Sequence, residues 1–221
     1  ILDCLLISIS EETQKLKSYD HIYQLLEYEI PVVLFDRINV DMELDHVGVN
    51  DKGSIYDEVK FLHSKNQKKI ALVCGLVEIG LGKQRIDGYK QAMQDLGLPV
   101  EKKYMLVSKD VPAVKRGIKK LILEEKVEAL IGLDYLSTLL SSRVVQENNI
   151  KIPEQVKIIG YVNEDFAPFL WPSISYVDQH PLLMGETAAA LLIKRIQKQS
   201  AKEPEKTIIN TELKHLDSTK F

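Results

Sequence analysis

Cysteine is scarce. The 221 residues hold two, Cys4 and Cys74, each inside an apolar run where a reduced thiol behaves as a small hydrophobe. That count excludes the disulfide framework of a small secreted module and leaves too few ligands for a cysteine-built metal site. Histidine adds little, because His21, His46, His63, His180 and His215 are scattered without metal-ligand spacing, so neither a metal nor a cofactor is expected. Basic charge is not in excess: 29 Lys and Arg stand against 32 Asp and Glu, a net charge of −3. Such a chain has no surplus to neutralise a run of phosphates, and DNA contact would need a part outside it. No apolar stretch reaches the roughly 18 residues of a membrane span, and no charged n-region with a cleavage pattern opens the chain. A cytoplasmic protein with no membrane partner is expected. Nucleophile elbows are absent too, since Ser137, Ser141 and Ser142 fall in a helical pattern, so an enzyme is not expected.

What is present is a core-forming composition, 45% hydrophobic and 28% charged, suited to one or two compact α/β domains. Short apolar runs alternate with amphipathic stretches. Leu2 to Ile9 reads as a buried strand emptying into a polar loop, and Asp20 to Glu29 as a helix. Strands follow at Val32 to Phe35 and His46 to Val49, then a helix through about Lys65 with Ile55, Val59 and Leu62 on one face. The cycle repeats with a strand at Lys69 to Cys74, a glycine-bearing loop from Gly75 to Gly82, and a helix from Gln84 to Leu96. A strand at Tyr104 to Val107, a helix over 113–124, a strand at Ala129 to Leu133, a helix from about Leu136 to Glu147 and a strand at Val156 to Ile159 complete it. This alternation argues parallel sheets with right-handed crossovers. After Pro172 the order changes: a strand at Ile174 to Val177, a helix of about Leu183 to Gln197, and a final strand of about Thr207 to Leu213. The Gly75 to Gly82 loop lies between a strand and a helix but lacks both the Gly-Lys-Ser/Thr ending and the G-x-G-x-x-G register, so nucleotide binding is not expected.

Several phrases in order resemble the LacI/GalR regulators and their periplasmic-binding-protein-like ligand domain. They are Ile30-Pro31-Val32-Val33-Leu34-Phe35-Asp36-Arg37, Val47-Gly48-Val49-Asn50-Asp51, Lys68-Lys69-Ile70-Ala71, Arg85-Ile86-Asp87-Gly88-Tyr89, Ile152-Pro153-Glu154-Gln155-Val156, Ile159-Gly160-Tyr161, Pro172 to Gln179 and Met184-Gly185-Glu186-Thr187-Ala188-Ala189. The resemblance implies a type I, two-lobed fold, each lobe a parallel sheet flanked by helices, with the N-lobe incomplete because its first βα units, a helix-turn-helix and a hinge helix would precede Ile1. Residues 1–66 are expected to form the partial N-lobe ending in a crossover helix, 67–178 the C-lobe, 179–200 a returning crossover helix, and 201–221 a C-terminal strand and tail. The implied function is a repressor's sensing domain, a homodimer that binds a sugar or sugar derivative between its lobes and acts on operator DNA through the upstream head. A periplasmic sugar-binding receptor of a transport system is the alternative.

In open parallel sheets ligands settle beyond the carboxyl ends of strands, which makes residues just after strands the candidates. The resemblance makes Arg85 the guanidinium fork on the effector; otherwise it is a surface arginine in a first helical turn. Asp36 offers a carboxylate to sugar hydroxyls or caps its turn. Ser8 and Ser10 are weaker hydroxyl candidates or ordinary loop serines, and Gln179 lines the hinge or is a satisfied crossover residue. Asp134-Tyr135 and Tyr161-Val162-Asn163 occupy the places of two acidic pairs in the family. Tyr135 and Val162 stand where carboxylates are usual, and Asn163 offers an amide, so a less acidic, more aromatic site for a larger or anionic ligand is expected. Trp171, the only tryptophan, lies in the aromatic segment Phe166 to Pro172, read as a dimer contact in preference to lobe-edge core.

Overall fold

The computed structural model describes residues 3–37, 42–76, 80–199 and 203–220. Two separate sheets organise them. One unit comprises Ile1–Asn50, Glu78–Leu81 and Gln179–Asn210, the other Asp51–Val77, Gly82–Asp178 and Thr211–Phe221. The first carries β1 (Leu5–Ile7), β2 (Val32–Phe35), β3 (Asp45–Val49) and β9 (Lys206–Ile209), with helices α1 (Glu11–Leu16), α2 (Asp20–Glu27) and α7 (Pro181–Ile196). Its strands lie in the order β1-β2-β3-β9, all parallel.

The second unit is larger. Its strands β4 (Ile70–Cys74), β5 (Met105–Val107), β6 (Ala129–Gly132), β7 (Lys157–Gly160), β8 (Ser175–Asp178) and β10 (Glu212–Lys214) lie in the order β10-β8-β7-β6-β4-β5. All are parallel except β10, which runs antiparallel to β8. Helices α3 (Asp51–Ser64), α4 (Gly80–Asp95), α5 (Val111–Leu123) and α6 (Tyr135–Glu147) cover it.

Parallel strands buried on both faces read as unbroken apolar runs, and β4 shows why. Ile70, Leu72 and Cys74 join one core with α3 and α4, while the alternate residues Ala71 and Val73 join another with α5 and α6. The smaller sheet repeats the scheme with Val33, Val47 and Ile209 against α7, and Val32 and Leu34 against Ile22 of α2. Its register is held by charge as well. Arg195 at the end of α7 donates from Nη2 to Asp45 Oδ1 at 2.6 Å and to the Glu203 carbonyl at 2.8 Å, and the Glu205 amide donates to the same Asp45 oxygen at 2.8 Å. Asp45 is buried, so this fork aligns the start of β9 with the start of β3 through charge-assisted bonds.

Four details differ from the sequence reading. The polar segment after β1 is the start of α1, capped by Ser10, whose side chain accepts from the Thr13 amide. Helix α4 begins at Gly80, inside the expected glycine loop, of which 77–79 lie outside the described residues. Gly82 is required there because a Cβ would stand 1.9 Å from the Leu76 carbonyl oxygen. Helix α3 groups with the second unit from Asp51 onward, where the sequence reading closed the first lobe at residue 66. The single tail strand is two, β9 in one sheet and β10 in the other.

Close packing of α3 on α4 gives a sharp test. A Cβ at Gly88 would lie 2.2 Å from the Lys52 carbonyl oxygen, a backbone atom that cannot yield easily, whereas nothing lies within 4 Å of a Cβ at exposed Gly185 in α7. Gly88→Ala is expected to cost about 3 kcal/mol through overpacking. Gly185→Ala should instead stabilise by up to about 1 kcal/mol through helix propensity. Urea melts of the two variants check the opposite signs.

Candidate functional site

Each unit presents a concavity at the carboxyl ends of its strands. In the first unit it measures about 320 Å³ and is lined by Phe35, Asp36, Gln179, Pro181, Met184 and Gly185. Asp36 leaves β2 in the left-handed region, φ 62°, and His180, the residue before α7, has φ 50°. Both are uncommon conformations for residues with a Cβ, best tolerated by Asp, Asn and His. They turn the chain sharply at the two loops that form the concavity. The Asp36 side chain is 40% exposed, 3.9 Å from the Arg37 guanidinium, and the residue lines the concavity together with Gln179, Phe35 and Met184. Sequence reasoning named Asp36 and Gln179 separately, and the structure brings them together.

In the second unit a concavity of about 140 Å³ is lined by Gly75, Leu76, Ser108, Lys109, Val111, Val114, Asp134, Leu136, Ser137 and Leu140. Asp134 is its organiser. One carboxylate oxygen accepts from the Ser137 amide at 2.9 Å, the other from the Ser137 hydroxyl at 2.6 Å and the Gly75 amide at 2.7 Å. Asp134 thus caps α6 and pins the end of β4 with the same side chain. Ser108, Lys109 and Ser137 were missed by the sequence reading. The rule of looking just past a strand would have found Ser108 and Lys109, which follow β5.

Arg85 is placed otherwise than expected. It is 3% exposed. Nε and Nη2 donate to Asp51 Oδ1 at 2.8 and 2.7 Å, Nη1 donates to the Leu133 carbonyl at 2.6 Å, and the guanidinium lies 3.5 Å from the centroid of the Tyr161 ring. The expected grip on an effector is here an internal grip: the fork joins the start of α3 to the end of β6 and stacks on an aromatic face. Beside it Ser54 and Tyr161 share a hydroxyl-hydroxyl hydrogen bond. Glu58, 1% exposed, has no hydrogen-bond partner for either carboxyl oxygen. Burial pushes its carboxyl up to about 8, against the opposing pull of Arg85 and of the Ser54 hydroxyl. Burial likewise raises the Tyr161 phenol and lifts the Cys74 thiol to about 11. Sequence reasoning missed Ser54 and Glu58. Their signal was a polar residue on the face of α3 shared with Ile55, Val59 and Leu62.

The remaining candidates line neither concavity. Ser10 is a helix cap and Ser8 is exposed. Tyr135, 49% exposed, opens the first turn of α6. Asn163 is exposed and its side-chain oxygen accepts from the Asp165 amide at 3.0 Å, closing a local turn. Among the described residues no cluster of His, Cys, Asp and Glu fit to hold a metal occurs, and no helix is long and apolar enough to cross a membrane.

The sequence pattern of the family described as periplasmic binding protein-like domain matches residues 59–219. The chain belongs to that family. Curated relatives of this periplasmic binding protein-like domain include proteins named as HTH-type transcriptional repressors. It is 26% identical over 188 residues to the catabolite control protein A of Priestia megaterium, covering 82% of this chain and 55% of that protein. It is 27% identical over 212 residues to the HTH-type transcriptional repressor PurR of Vibrio campbellii, covering 94% and 60%. The chain spans about half the length of the curated relatives it matches. In fold it is similar to the transcriptional regulator CelR in complex with cellobiose, with a TM-score of 0.82 at 23% identity, over 98% of this chain and 65% of that one. It is also similar to a LacI family regulator from Enterococcus faecium with bound ribose, with a TM-score of 0.82 at 24% identity, over 98% and 79%.

Glu58 generates a stability prediction. An unfolded carboxyl ionises near 4.5, while in the fold this one keeps its proton to about 8. Between those values the unfolded state releases the proton first, so stability falls as pH rises and levels off above the upper value. The full drop is on the order of 4–5 kcal/mol for such a shift. Glu58→Gln, which cannot ionise, should abolish that slope in denaturant melts taken across the window.

Proposed function

We propose that this chain is the sensing part of a LacI-type transcription repressor and that its effector is a carbohydrate or carbohydrate derivative. One observation carries the reading. The strand-end concavity of the first unit sets a carboxylate, Asp36, and an amide, Gln179, beside the apolar surface of Phe35 and Met184. A sugar presents ring hydroxyls to such acceptors and its C–H face to such a surface. The second unit adds Asp134, Ser108, Lys109 and Ser137 at its own strand ends, a cation among hydroxyls that suits an acidic or phosphorylated sugar. Relatives named as repressors, and neighbours named with cellobiose and ribose, support the regulator over the transport receptor. In this reading DNA is reached through a helix-turn-helix head outside the 221 residues, the setting is cytoplasmic, and the chain is no enzyme.

The test is calorimetric titration with cellobiose, ribose and sugar phosphates. For a sugar that binds, Asp36→Asn should weaken affinity by about 10- to 100-fold, the worth of a hydrogen bond to a charged acceptor. A chain that takes up none of these, or an Asp36→Asn variant that binds unchanged, would sink the reading.

Homodimerisation is part of the same proposal. Phe169 and Trp171 are 86% and 83% exposed, and Phe166 is 56% exposed. The loop is held in place by Gln146, whose amide donates to the Trp171 carbonyl at 2.6 Å. Rings of this size each bury roughly 150–250 Å² at an interface, so a second copy is a fitting cover. Sedimentation should show a dimer that Trp171→Ala shifts toward monomer at micromolar concentration, with the Tm of the isolated monomer unchanged.

A further inference from the structure

The buried group of Asp51, Ser54, Glu58, Arg85 and Tyr161 does more than brace the second unit. We propose that Glu58 is a positioning residue for the effector end of that unit. In its neutral form it leaves the Arg85 fork to Asp51 and the Leu133 carbonyl; in its ionised form it draws the guanidinium toward itself and slackens the loop that presents Asp134.

The geometry supports this in three ways. Glu58 follows Asp51 by seven residues on one helix, so both project from the same face of α3, and both are buried there. Arg85 lies against that face and already spends one edge on Asp51 and one N–H on the carbonyl immediately before Asp134. Neither Glu58 oxygen makes a hydrogen bond of normal geometry, although the Ser54 hydroxyl acts on the carboxyl, and so thin a solvation becomes far more costly once the group is charged. An ionised Glu58 therefore competes for the cation it faces, and the Leu133 carbonyl is the neutral acceptor that loses. Asp134 depends on that carbonyl's placement, because its two oxygens must meet the Gly75 and Ser137 amides at once.

Asp51 and Asp57 share α3, Arg85 comes from α4, Tyr161 follows β7, and Cys74 ends β4. Burial keeps Tyr161 and Cys74 protonated through the neutral range. The proton that Glu58 exchanges goes to solvent.

For its functional meaning this inference rests on the effector reading above, but its first readout needs no effector. In a uniformly labelled chain, the Glu58 carboxyl carbon and the Gly75 and Ser137 amides are followed by NMR from about pH 6 to about pH 9. All three should titrate together with one midpoint near 8. In Glu58→Gln the two amides should stay at the acid-limit positions of the unmodified chain. A Glu58 carboxyl that ionises in the ordinary carboxylate range, or amides that ignore its titration, overturns the proposal; so do amides that still titrate in Glu58→Gln. The unmodified chain supplies the decisive titration even where the variant folds poorly. With a sugar found by screening, affinity should fall about tenfold across the same range and stay flat in Glu58→Gln. Flat affinity beside titrating amides counts against Asp134 as an effector residue and leaves the proton-linked positioning intact.

Discussion

The second unit depends on the tie that Arg85 makes between the first residue of α3 and the last carbonyl before Asp134. A guanidinium removed from water is tolerable only when its donors are met and its charge is matched. Here a carboxylate, a carbonyl and an aromatic face meet it together. Because the fork is planar and rigid, fixing one end fixes the other. The consequence is positional: Asp51 is where the chain enters this unit from the first, and Leu133 is the last residue before the helix cap that shapes the concavity. Chain entry and site are thus coupled through one side chain.

Asp45 and Arg195 play the corresponding part in the first unit, where they secure β9 beside β3 and anchor the far end of α7. The near end of α7 begins with Pro181 after His180 in a left-handed conformation, and that end lines the concavity with Asp36. A helix anchored at its far end by this ion pair presents Met184 to the concavity from its near end.

Strands buried on both faces were legible in the sequence because nothing competes with their signal. The apolar runs at Val32 to Phe35 and Ile70 to Cys74 have one reading, and the collinear phrases placed them in a family. What was not legible required knowledge of distant partners. The face of α3 is apolar in sequence, but no periodicity says which sheet it will cover. Gly82 looks like a loop residue until the Leu76 carbonyl that excludes a Cβ is known. Thr207 to Leu213 reads as one strand, although its halves pair with different sheets. Asp36 and Gln179 were named as residues just past strands and Asp134 through the resemblance, and each lines a concavity. Arg85 was named as a candidate, but a sequence cannot show that Asp51, 34 residues earlier, lies within hydrogen-bond reach of it.

Glu58 is the residue at which local and global logic disagree. A helix face built from Ile55, Val59 and Leu62 would pack more stably with an apolar side chain between them, and a buried carboxyl without a donor is among the costlier defects a core can hold. Such inconsistencies, when a fold retains them, concentrate where structure serves function. Its neighbours sharpen the point. Ser54 bonds to Tyr161, and Arg85 is engaged by Asp51 and the Leu133 carbonyl, which leaves Glu58 the least well met of the group, so a change of its charge bears on the rest. A carboxyl buried beside an already engaged arginine is poorly designed as a brace and well placed as a release.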